Sequence, residues 1–131
     1  MALKLVLKPG ERIAINGAVV TNGERRSTLI VENRARVLRQ GDIIQPEAVT
    51  TPATRIYFPV MMLYLDPVEN AHYTKDYEQS LLEFTAAISD PAALSDCARL
   101  SAAVATQDFY GALNICRRLM DFEKARLNYV A

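Results

Sequence analysis

Two Asn-Gly dipeptides in the first quarter of the chain, Asn16-Gly17 and Asn22-Gly23, restrict its fold more than any other feature. Asparagine and glycine tolerate the positive φ that a tight hairpin demands, so the backbone is expected to reverse at these points. The flanking runs suit that demand. Residues 2–7 alternate in period two, Lys8-Pro9-Gly10-Glu11 forms a turn, and Arg12–Ile15 and Ala18–Thr21 sit on either side of the first Asn-Gly. Residues 27–32 are rich in β-branched side chains, Asn33-Arg34 breaks the run, and residues 35–39 resume it. Five short strands at this spacing predict a small antiparallel barrel or sandwich.

Beyond residue 70 the period changes from two to that of a helix. Tyr73, Tyr77, Leu81, Phe84 and Ile88 recur at three- and four-residue steps and form one apolar stripe. Asp90-Pro91 reads as a cap and first turn, and Leu94, Cys97, Ser101 and Val104 carry a second stripe. Thr106 or Asp108 can cap a third helix bearing Phe109, Leu113, Cys116, Met120 and Leu127. Between the two regimes, Thr51-Pro52 has the form of an N-cap followed by proline at the first helical position. Residues 55–65 fit a helix, or a strand followed by a helix, with Pro59 leaving both open; Asp66-Pro67 ends the segment. The expected fold class is α+β: an antiparallel β-domain over 1–50, a linker and short helix over 51–69, and a helical bundle over 70–131.

Half of the 131 residues are hydrophobic, enough for a core without disulfides or metals. The formal charge is zero, but it is unevenly spread. Residues 1–65 carry nine Lys/Arg against five Asp/Glu, a net of +4; residues 66–131 carry six against ten, a net of −4. A basic half and an acidic half suit two kinds of partner, or attract one another. The N-terminus has no signal-peptide core, and the longest apolar stretch, residues 58–65, falls far short of a membrane span. Cytoplasmic residence without membrane insertion is expected, with Cys97 and Cys116 as reduced core residues.

Residues for catalysis are scarce. The single His72 has no cysteine at ligand spacing, and its polar neighbours suit a solvated or capping role. No nucleophile elbow, phosphate-cradling loop or dinucleotide fingerprint occurs. Asp76 with Glu78, and Asp121 with Glu123, stand two residues apart and so point away from each other on a helix, as surface charges do. Neither an enzyme nor a bound cofactor or metal is expected.

Arginines are the more informative group. Arg34, Arg36 and Arg39 lie around the fifth strand, and Arg25 and Arg26 precede the fourth. Strict alternation puts Arg34 and Arg36 on one face and Val37 and Arg39 on the other, unless a bulge intervenes. The guanidinium fork donates two parallel hydrogen bonds and keeps its charge, which suits phosphate. Strand-borne arginines among apolar residues can meet single-stranded RNA; an edge strand guarded by charge carries the same pattern.

The segments Leu3-Lys4-Leu5-Val6-Leu7-Lys8-Pro9-Gly10-Glu11, Asn16-Gly17-Ala18-Val19-Val20, Asp42-Ile43-Ile44-Gln45-Pro46 and Thr51-Pro52-Ala53 with Ile56-Tyr57-Phe58 resemble the FlbT family of flagellin regulators, in its order and spacing. Tyr110-Gly111-Ala112-Leu113 extends the match into the tail. The resemblance implies a cytoplasmic bacterial regulator of flagellum biogenesis. It would associate with the 5′ untranslated region of flagellin mRNA and lower its translation or stability, although some members act positively. A second, local resemblance, of Leu5, Lys8, Gly10-Glu11 and Val37-Leu38-Arg39-Gln40-Gly41-Asp42-Ile43, is to the carbon storage regulator family. It implies Arg39 as the principal RNA contact with Lys8 and Leu5 beside it. The chain departs from that pattern by one extra residue after Arg39 and by Leu7 at a basic position. The candidate RNA-binding set is therefore Arg39, Arg36, Arg34, Lys8, Arg25 and Arg26. The expected partner is the flagellin mRNA leader; the alternative is a protein-interaction module whose acidic half docks a flagellar co-regulator, flagellin or its secretion chaperone. An exposed strand edge also admits a homodimer.

Overall fold

The computed structural model describes residues 2–130, with side chains from 2 to 126. The chain is α+β and divides into two compact units, Met1–Ile44 and Gln45–Ala131. Strands fill the first and helices the second.

In the first unit, β1 (Leu3–Leu7) pairs antiparallel with β4 (Ser27–Val31), Leu5 facing Leu29. The other sheet places β2 (Arg12–Ile15) between β3 (Ala18–Thr21) and β5 (Val37–Arg39), both antiparallel to it. Asn16 and Gly17 take φ of 51° and 87°, the paired positive values of a type I′ hairpin. The second Asn-Gly works differently. After it the chain leaves one sheet for the other, because β3 and β4 are not neighbours. Leu5, Leu7 and Ile13 form a core shared by the two sheets, with Ile15, Leu29, Val31 and Val37 packed against it. The arrangement is a small sandwich and not a closed barrel. β5 is three residues long and is an edge strand, as is β3, whose four residues are all exposed.

The second unit contains α1 (Pro52–Leu65), α2 (Tyr73–Ala87), α3 (Pro91–Ala105) and α4 (Phe109–Val130). Thr51 caps α1 in a reciprocal box with Thr54, and Asp90 caps α3 through the Ala93 N–H, each ahead of a proline at the first turn. Asp108 accepts from the Gly111 N–H at the start of α4. Residues 51–69, read from sequence as linker and short helix, hold a 14-residue helix that runs unbroken through Pro59 and packs against α2 and α4. Nine of its residues are buried, Ile56 and Val60 completely. An almost wholly apolar helix shows no stripe, so periodicity could not reveal it.

On α2, Tyr77 and Phe84 are buried as expected. On α3 the buried face is Ala93, Asp96, Cys97 and Leu100, shifted from the expected stripe, and Ser101 is exposed. On α4 the core includes Phe109, Leu113, Cys116 and Leu119; the Leu127 side chain lies outside the described residues. No helix of the described residues is long and apolar enough to cross a membrane.

Candidate nucleic-acid interface

The first unit, residues 1–44, carries eight Lys/Arg against four Asp/Glu. Its turns decide where those cations go. Gly10, at φ 72°, lets the β1–β2 turn close, and its N–H donates to the carbonyls of Asn22 and Gly23 at 3.1 and 3.0 Å. The Asn22 amide then straps the unit together, donating to the carbonyls of Leu7 (3.2 Å), Lys8 (2.8 Å) and Arg25 (2.9 Å). The β1–β2 turn with Lys8 and the loop with Arg25 and Arg26 thus meet at one end of the sandwich.

Arg39 reaches the same end. It stands on β5 opposite Ile13, on the face shared with Val37, while Leu38 on the other face is buried. The Arg39 guanidinium folds over the edge of the core. Its Nη2 donates to the Val6 carbonyl at 2.9 Å and to Glu11 Oε2 at 2.8 Å. The other Glu11 oxygen accepts the Lys8 N–H at 2.9 Å. That N–H and the Arg39 guanidinium hold the Glu11 carboxyl below its ordinary pKa, so it is charged at neutral pH. Gln40 closes the far side, its Oε1 accepting the Arg12 N–H at 2.6 Å. The result is an open polar notch of about 530 Å³ lined by Lys8, Pro9, Gly10, Glu11, Arg39, Gln40 and Gly41.

Arg34 and Arg36 go elsewhere. β5 begins only at Val37, so neither is strand-borne and the alternation expected for them does not apply. The reason lies in the hairpin: Asn16 Oδ1 accepts the Arg36 N–H at 2.9 Å, and the Asn16 N–H donates to the Arg36 carbonyl at 2.8 Å. That exchange ends the pairing beside Gly17. Arg36 therefore sits at the opposite end of β2 from Glu11, on the order of 15 Å away for five extended residues. The structure gathers Lys8 and Arg39 in one notch with the Arg25 backbone alongside, and leaves Arg36 at the other end and Arg34 in the loop before β5. Sequence reasoning missed Glu11, Asn22 and Gln40 as parts of the site. Lone signals marked the first two, an acid closing the Lys8-Pro9-Gly10-Glu11 turn and an Asn-Gly between strands that do not pair; nothing in the sequence marked Gln40.

The helical unit, residues 45–131, carries seven Lys/Arg against eleven Asp/Glu. Asp96, only 8% exposed, ties α3 to α4 through Arg118 (3.1 Å) and is also paired within α3 by Arg99 (3.2 Å). Glu123, taken from sequence as a surface charge, instead accepts the Ala53 N–H at 2.9 Å and satisfies a free donor at the start of α1. Tyr77 and Phe109 are buried, and Tyr73 packs edge-on against Phe58, so these aromatics of the acidic half serve its core. His72 is exposed, lies against the Tyr73 ring and makes no capping bond. Between α2 and α3 an open groove of about 550 Å³ is lined by residues that include Leu81, Leu82, Val104 and Glu78.

Residues 3–127 match the family model described as flagellar protein FlbT. The flagellum biosynthesis repressor protein FlbT of Caulobacter vibrioides is 47% identical over all of this chain and 93% of its own length. A probable flagellum biosynthesis repressor of another Caulobacter species is 46% identical over the full length of both. One from Bradyrhizobium diazoefficiens is 33% identical over all of this chain and 89% of its own. No solved structure matches the chain.

Proposed function

Because this chain belongs to the FlbT family, we propose that it regulates flagellum biosynthesis after transcription, by binding the 5′ untranslated region of flagellin mRNA through the Lys8–Arg39 notch. The observation that carries this reading is the placement of Arg39. Its guanidinium is anchored through Nη2 while the side chain as a whole stays 42% exposed, at the mouth of a polar notch in a unit with a cation excess. A cation held in place on a rigid edge loses little further entropy on meeting a phosphate. Bound protein would lower translation by covering the ribosome-binding region, or shorten the message's life by exposing it to nucleases. Relatives named as repressors support that direction.

Salt dependence tests it. Four cations at the notch end, Lys8, Arg25, Arg26 and Arg39, give a slope of log K against log salt no steeper than about −2.8, at about −0.7 per single-strand phosphate. Engagement of Arg34 and Arg36 as well would bring it to about −4.2. Arg39→Ala should weaken binding to a flagellin leader and flatten the slope. Salt-independent binding, or an Arg39→Ala variant that binds like the wild type, rejects the proposal.

A second reading draws on the groove between α2 and α3, where Leu82 is 66% exposed beside Leu81 and Val104. An apolar strip of this kind on an acidic unit suits an amphipathic helix of a flagellar partner, such as flagellin, its chaperone or a co-regulator. Capture of such a partner by the full chain after RNase treatment, lost in Leu82→Asp, supports this reading; capture that vanishes with RNase rejects it.

A further inference from the structure

The notch already contains an anion supplied by the chain itself. We propose that the Glu11 carboxylate stands in the place of an incoming phosphodiester, so that RNA must displace it to gain Arg39; this rests on the reading of Arg39 as a phosphate contact.

Stereochemistry motivates the idea. A guanidinium offers two forks to an oxyanion, Nε with Nη2 on its side and Nη1 with Nη2 at its end, and Nη2 belongs to both. Here one Nη2 hydrogen goes to the Val6 carbonyl and the other to Glu11 Oε2. With both engaged, neither fork is complete, while Nη1 and Nε have no hydrogen-bond partner among the described residues. Moving Glu11 aside restores a two-pronged site. The Val6 bond stays and continues to orient the side chain.

The rest of the geometry makes that exchange a matter of one side chain. Glu11 is fixed through its backbone: its N–H donates to the Lys8 carbonyl at 3.1 Å and its carbonyl accepts the Asn22 N–H at 2.8 Å. A rotation of the Glu11 side chain frees the guanidinium without disturbing the turn. It also releases the Lys8 N–H, a second donor aimed at the same anion position. The Arg39 side chain is 42% exposed and that of Glu11 14%, so a ligand approaches from the cation's side. Two donors from two strand ends that converge on one anion make a site for a single phosphate group, closed by a tethered competitor.

Glu11→Gln tests this directly. The amide oxygen can still accept from Lys8, so the turn is kept, but the negative charge is gone. Binding of a labelled oligouridylate and of a flagellin leader to the full chain should tighten about three- to tenfold at low salt, the range expected from losing an exposed ion pair and a nearby like charge. The gain should vanish in Glu11→Gln/Arg39→Ala. Side-chain N–H resonances of Arg39, followed in the same samples, report both folding and contact. If the wild type binds in an Arg39-dependent way and Glu11→Gln binds equally or more weakly, Glu11 only braces the arginine and the inference falls while the RNA reading stands. If neither the wild type nor Glu11→Gln binds either RNA, the RNA reading falls and takes the inference with it.

Discussion

Replacing Asn22 should loosen the notch end of the β-unit, and the size of the effect follows from its three contacts. One amide group, with two hydrogens, faces the carbonyls of Leu7, Lys8 and Arg25 at 3.2, 2.8 and 2.9 Å. That amounts to two full bonds with one shared. At about 0.5–1.5 kcal/mol net per bond, and with partly exposed carbonyls able to turn to water, Asn22→Ala should cost about 1–2 kcal/mol. Asn22→Asp has the same shape and should cost more, about 2–4 kcal/mol, because a carboxylate in that position meets three carbonyl oxygens and offers no donor. Native-state hydrogen exchange is the suitable assay, since the N–H groups of Gly10, Glu11 and Asn22 close the same knot. One tenfold step per 1.4 kcal/mol predicts that their protection falls roughly 5- to 30-fold in Asn22→Ala and further in Asn22→Asp. Protection within twofold of wild type in both variants, or a smaller loss for Asp than for Ala, would refute the strap.

Three further outcomes follow from local geometry. Gln107 occupies the left-handed region at φ 62° and closes α3 through its own N–H to Val104 and that of Asp108 to Ala103 at 2.8 Å, so Gln107→Gly should raise stability by about 0.5–1 kcal/mol, read as a higher urea midpoint; a lower one contradicts this. Glu123→Ala, which removes the acceptor at the start of α1, should lower stability by about 1 kcal/mol, with Glu123→Gln losing less than half of that; equal losses would show that the oxygen acceptor retained by Gln contributes nothing and refute the hydrogen-bond reading. Burial pushes the Cys116 thiol up to about 12 from 9.0, and the Tyr77 hydroxyl up to about 12 from 10.0. Above pH 9 the unfolded thiol loses its proton and the folded one keeps it, so its stability contribution is fully present below pH 9 and is lost toward pH 12, by up to about 1.4 kcal/mol per pH unit, the Tyr77 hydroxyl adding to the loss only above pH 10; a Cys116→Ala variant with the wild-type pH slope refutes this.

Much of the fold was legible because the signals were local. Asn16-Gly17, Thr51-Pro52 and Asp90-Pro91 each fix a few dihedrals or bond a nearby N–H, and the structure uses each as its chemistry suggests. α1 was obscured for the opposite reason. A helix covered by neighbours on nearly every side carries apolar residues all round, and from residue 56 onward it offers no polar face from which a period could be read. The shifted stripe of α3 has a related cause. Asp96 belongs to its buried face only because Arg99 and Arg118 compensate the charge, and Arg118 is supplied by another helix.

The site was the least legible part, since its members act across long sequence separations. Parity along a strand assigns faces only while the strand lasts, and β5 can be no longer than the part of β2 that pairs with it. Pairing ends at Ile15 with Val37, where Asn16 turns the chain and binds both backbone groups of Arg36. Arginines that look like a single stripe in sequence are thereby divided. Arg39 is carried to the Lys8 turn, and Arg36 is held at the hairpin. Which carboxylate meets Arg39 was equally hidden, because Glu11 lies 28 residues away and reads simply as the last residue of a turn. Only the antiparallel register of β2 and β5, which sets Ile13 opposite Arg39, brings that turn within reach of the guanidinium. The anion at the mouth of the notch is thus a consequence of strand register, and a change that slips this register by one residue would turn Arg39 to the opposite face and separate it from Glu11 and Val6 together.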